Sequence, residues 1–135
     1  MTEHRIQLRR AWDAGDAGRP TRLDLPARWG LDPIPRRIAR RFNRPRIDEA
    51  VEVLRLEFAS VPGLIAVSLN DHDLGAPGEG EDPWVVGLAD LKPFGNRLVL
   101  TLDAEAARRS EEWGRIALLI RRRPTYDPPV ASLGP

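Results

Sequence analysis

The chain is predicted to be all-β, a sandwich of about eight antiparallel strands. Short runs alternate apolar and polar residues with a period of two, which marks strands with one buried and one wet face. Pro and Gly number 13 and 11, and they cluster between those runs. Pro cannot donate to a sheet ladder, so it belongs in turns and at edges.

Taken in order, Ile6 and Leu8 share a face, and Leu23 and Leu25 repeat the pattern before Pro26. Ile38, Arg40 and Phe42 alternate with Arg37, Ala39 and Arg41. Leu54, Leu56 and Phe58 oppose Val53, Arg55 and Glu57, and Ile65, Val67 and Leu69 oppose Ala66 and Ser68. Leu98, Leu100 and Leu102 alternate with Val99 and Thr101, and Ile116, Leu118 and Ile120 close the series. The predicted core is Ile6, Leu8, Trp12, Leu25, Phe42, Leu54, Leu56, Phe58, Val67, Leu69, Leu98, Leu100, Leu102, Ile116, Leu118 and Ile120. Asn70-Asp71-His72-Asp73 reads as a tight hairpin, because Asn and Asp tolerate positive φ and bond their own backbone. Ala104–Glu112 is the one helical candidate, and it is polar almost all round, so at most a surface turn is expected. Residues 1–123 form one predicted domain. Residues 124–135, with four Pro, are expected to be an extended, poorly ordered tail.

Composition sets further bounds. The 135 residues include no Cys, which excludes disulfides and thiolate metal sites. No apolar run reaches the ~20 residues of a membrane span, and the N-terminus has no apolar leader, so a cytoplasmic protein is expected. The net charge is +1 but unevenly spread. Residues 1–46 hold 12 Arg against 5 acidic residues, and residues 47–105 hold 12 acidic against 3 basic. Six Arg fall within residues 36–46. They lie on both strand faces, and Asp48, Glu49, Glu52 and Glu57 follow on the next run. Cross-strand ion pairing is therefore expected, and nucleic-acid binding is not. Arg40 falls on an inward face and requires a carboxylate or carbonyl partner there.

Several motifs occur in an order that resembles the sugar-binding jelly-roll domain of glycoside hydrolase family 2, one of the galactose-binding-like folds. Trp12 precedes Pro26-Ala27-Arg28-Trp29. Ile38-Ala39-Arg40-Arg41-Phe42 and Pro45 follow, then Val67-Ser68-Leu69-Asn70-Asp71-His72-Asp73-Leu74-Gly75, with Asp71 in place of the usual Gly. Asp82–Leu91, the turn Leu91–Leu98 and Trp113-Gly114-Arg115-Ile116 complete the set. The likeness spans about residues 5–122. It implies a jelly-roll sandwich with Trp12 and Trp29 in the core. It carries over no catalytic acid, because no hydrolase barrel is present.

The candidate site follows from sugar chemistry. A pyranose presents an apolar C–H face that stacks on an aromatic ring while polar neighbours hold its hydroxyls. Trp84, beside the acidic loop with Asp82, and Trp113, beside Arg115, are the candidate ligand-binding residues. Anchoring within the fold competes with stacking for both rings. The fold's frequent structural calcium would draw on Glu79, Glu81 and Asp82, but a solvated loop is favoured, and no metal or cofactor is assigned. His4 and His72 have no second imidazole at ligand spacing, and Asp71-His72-Asp73 reads as turn chemistry. No acid, base and nucleophile converge. The chain is expected to be a stand-alone, non-catalytic binding or interaction module with a carbohydrate-binding-like fold, its ligand carbohydrate or another protein. The alternative is a structural or assembly protein that meets another protein through a sheet face.

Overall fold

A computed structural model describes residues 3–14, 21–31 and 33–123. The predicted tail at 124–135 lies outside the described residues. Ten strands form among the described residues: β1 (Glu3–Gln7), β2 (Trp12–Ala14), β3 (Thr21–Leu23), β4 (Arg37–Phe42), β5 (Glu52–Ala59), β6 (Leu64–Leu69), β7 (His72–Gly75), β8 (Trp84–Gly87), β9 (Asn96–Leu102) and β10 (Arg115–Arg122). One helical turn, α1 (Ala104–Ala107), separates the last two. The strands beyond the expected number are β2 and β7, three and four residues long and too short to show an alternation.

Every pairing is antiparallel, in a four-stranded sheet of order β1-β10-β5-β8 and a six-stranded sheet of order β3-β2-β4-β9-β6-β7. The two sheets enclose one core, an all-β sandwich. Its centre is Trp12, Ile38, Leu56, Phe58, Leu98, Leu100, Trp113 and Ile116, each nearly or fully removed from water. The predicted core residues are buried except Ile6. Ile6 sits on the edge strand β1 and is partly covered.

Ile65 is corrected by a β-bulge. The register of β6 against β9 shifts between Leu64 and Ala66, so Leu64 enters the core and Ile65 points out, 56% exposed. An extra residue on one strand reverses the faces on either side of it. Strict alternation cannot anticipate that.

The expected pairing of the Arg-rich run with the acidic run is corrected too. β4 lies in the six-stranded sheet between β2 and β9, whereas β5 lies in the other sheet. Among the described residues one such ion pair forms, Arg44 to Glu49 at 2.9 Å. Glu57 instead accepts from Arg5 on β1, two strands away. Arg40 meets its predicted need with carbonyls: Nε donates to the Arg10 oxygen at 2.6 Å and Nη1 to the Arg41 oxygen at 3.1 Å.

The Asn-Asp turn forms as expected. Leu69 pairs with His72, and the two residues between them have φ of 51° and 67°, a type I′ geometry. The helical candidate shrinks to α1, capped by the Asp103 side chain on the Glu105 N–H at 3.1 Å. Gly63 packs beneath it. A Cβ there would stand 2.6 Å from the Asp103 carbonyl oxygen, and φ is +81°. No helix among the described residues is long and apolar enough to cross a membrane.

Candidate functional site

Trp84 opens β8 opposite Phe58, and the two rings lie 5.1 Å apart, tilted by 34°. Trp113 precedes β10 and is held from three sides. Its backbone pairs with Ala27, its indole Nε1 donates to the Pro62 carbonyl at 2.8 Å, and its ring lies 6.0 Å from that of Trp29. Trp84 is 8% exposed and Trp113 is fully buried. Neither ring presents a face on which a pyranose could stack. They flank β5 at one end of the four-stranded sheet, because Phe58 pairs with both Trp84 and Ile116.

The polar pair fares similarly. Asp82 Oδ1 accepts the Ser60 N–H at 3.1 Å and so ties the acidic loop to the end of β5. Arg115 donates to Glu112 Oε2 at 2.7 Å, and Arg28 reaches Glu112 Oε1 at 3.2 Å. Hydrogen bonds from Arg28 and then Arg115 hold the Glu112 carboxyl below the usual carboxylate range. The group is solvent-facing, so this cluster orders the surface without making a concave site.

The acidic loop turns inward on itself. Glu81 Oε1 accepts the Gly78 N–H at 2.7 Å, and Asp82 is engaged with Ser60. Among the described residues no group of three His, Asp or Glu side chains is gathered for a metal. Asp73 bonds the Gly75 N–H at 2.8 Å, which is turn chemistry, as the sequence indicated.

A better-formed concavity lies beside Trp29. A groove of about 570 Å³ opens between β3 and the segment after it. Pro26, Trp29, Pro33, Ile34 and Pro35 give it apolar walls, and Arg22, Asp24 and Arg28 stand among its lining residues. Trp29 is 6% exposed, and among the described residues its indole Nε1 has no hydrogen-bond partner. An unpaired N–H inside a protein is uncommon, because the indole is a donor that normally finds an acceptor. Sequence reasoning assigned Trp29 to packing, which it does. The signal for the groove was the density of Pro from 26 to 35, read there only as loop.

Comparison with protein-family models, with curated proteins and with solved structures finds no match for this chain.

Proposed function

We propose that the chain is a non-catalytic binding module with a galactose-binding-like jelly-roll fold, and that the groove beside Trp29 is its carbohydrate site. The observation that carries this is the lining of the groove. Its volume of about 570 Å³ lies within the range of roughly 300–1,000 Å³ usual for small-ligand sites. The rings of Pro26, Pro33 and Pro35 offer apolar surface to a sugar's C–H face, backed by the buried Ile34 and Trp29. Asp24, Arg22 and Arg28 offer the acceptor and donors that hydroxyl groups need. The antiparallel sandwich and the order of its motifs support the fold-family reading.

Titration calorimetry with neutral and acidic oligosaccharides tests it. Binding is expected to weaken about tenfold in Asp24→Ala, which removes the groove's acceptor carboxylate. Absence of binding to every oligosaccharide, or affinity unchanged in Asp24→Ala, rejects the site. A second reading, a protein-assembly role, draws on the outer face of the six-stranded sheet. There Ala39, Val99 and Ser68 form one row and Thr101 and Ala66 the next, all short and half-exposed. A stable oligomer by light scattering, in samples that bind no glycan, would favour it.

A further inference from the structure

Strand β4 has β2 beside it only as far as Ala39. Beyond that point its free edge and the edge strand β1 border a cleft of about 500 Å³. Ile6, Leu8, Phe42 and Leu118 give the cleft an apolar wall. Arg40, Arg41 and Arg44 also line it, and no carboxylate does among the described residues. Arg44 already pairs with Glu49, and Arg41 is exposed.

Arg40 is different. The alternation of β4 sets it inward between Ile38 and Phe42, half-buried. A guanidinium has five N–H donors. Two of them reach the carbonyls of Arg10 and Arg41, at 2.6 and 3.1 Å, and neither acceptor carries a charge. Burial alone moves its pKa, downward, with no acid opposing the shift. The cation is thus partly desolvated, and no carboxylate among the described residues lines the cleft beside it, which leaves it open to an incoming anion. Its remaining donors suit a planar carboxylate, which accepts two parallel N–H bonds from one guanidinium. A free inorganic anion would leave the apolar wall unused.

We propose that this cleft binds a small amphipathic carboxylate, its head on Arg40 and its apolar body against Ile6, Leu8 and Leu118. The site is separate from the groove beside Trp29 and does not rest on the carbohydrate reading. Octanoate and its neutral analogue octanamide are the probes, followed by methyl and amide NMR on the whole chain. Octanoate is expected to shift the Ile6, Leu8 and Leu118 methyl signals at concentrations about tenfold below those octanamide needs. Arg40→Gln is expected to weaken octanoate about tenfold, and Arg37→Gln, on the same strand but outside the cleft, to leave it unchanged. Equal affinity for acid and amide overturns the proposal, as does octanoate binding undiminished in Arg40→Gln. Absence of shifts at these methyls also overturns it. Should Arg40→Gln fail to fold, the ratio of octanoate to octanamide affinity on the wild-type chain decides alone.

Discussion

The two ends of the sandwich are closed by different physics. At one end aromatic rings do it: Trp29 against Trp113, and Phe58 against Trp84. At the other end an amide does it. Asn96 is fully buried, and each of its four hydrogen-bonding positions is used. Its Nδ2 donates to the Lys92 carbonyl at 2.8 Å and the Phe42 carbonyl at 3.2 Å. Its Oδ1 accepts from the Lys92 N–H at 2.8 Å and from Asn70 Nδ2 at 3.0 Å. One residue thus joins β4, the 92–96 turn and the β6–β7 hairpin. Among the described residues the aromatic end gives the Trp29 N–H no partner and still packs. The difference shows what each closure tolerates. Burial adds up over area, so one unsatisfied donor is affordable. A buried amide has no such reserve, because each lost partner carries its own desolvation cost.

The largest expected effect tests the aromatic end. Trp113→Ala removes a fully buried ring and its bond to the Pro62 carbonyl. It should cost about 3–5 kcal/mol, as large-to-small core changes do when the site cannot collapse. Urea unfolding measures this. A loss under about 1 kcal/mol would mean that Trp113 is not a keystone of that end.

The amide end should lose less in total but more locally. Asn96→Leu keeps the branching and heavy-atom count of the side chain and discards all four hydrogen bonds. Lys92 is exposed, so water can replace part of what it loses, whereas Phe42 is buried and its carbonyl cannot be rescued as easily. The expected cost is about 2 kcal/mol. The amide proton of Arg97, which donates to Asn70 Oδ1 at 2.9 Å, should exchange faster. A protein as stable as wild type, with unchanged exchange there, would show that the network holds nothing together.

The sequence was informative about whatever depends on side-chain period. The inward runs of β4, β5 and β9 were legible because each strand has one apolar face, and that of β10 was legible although Ala117 and Leu119 bury its other face too. Trp113 as an anchor within the fold was legible as an option, and the structure takes it. Three kinds of feature were not legible. The bulge at Leu64–Ala66 is a register event between two strands, and neither strand records it alone. The separation of β4 from β5 into different sheets is a topological fact, so Arg-rich and acidic neighbours in sequence did not become neighbours in space. Asn96 looked like an ordinary turn residue, since its four hydrogen bonds reach three residues, Phe42, Asn70 and Lys92, of which only Lys92 is near it in sequence. The cleft at Arg40 shares this character, since the fold brings β1, β4 and β10 together there, whereas the groove beside Trp29 is drawn almost wholly from residues 21–35.

The smallest effect sharpens the comparison at the hairpin that Asn96 secures. Asn70 and Asp71 both adopt left-handed backbone, with φ of 51° and 67°. Asn70 cannot be exchanged freely, because its side chain bonds Asn96 and the Arg97 N–H. Asp71 is exposed, and among the described residues no hydrogen bond from its side chain ties the turn to the rest of the fold. Its Cβ carries the steric cost of positive φ without a compensating contact. Glycine removes that cost and fits a type I′ turn at this position. Asp71→Gly should therefore stabilise the protein by about 0.5 kcal/mol, after the greater chain entropy of glycine in the unfolded state is subtracted. Combined with Asn96→Leu, the gain should persist at nearly its full size if the turn's strain is local to its backbone. Loss of the gain in the double variant would mean that the amide network, not the turn residues, sets the hairpin's geometry.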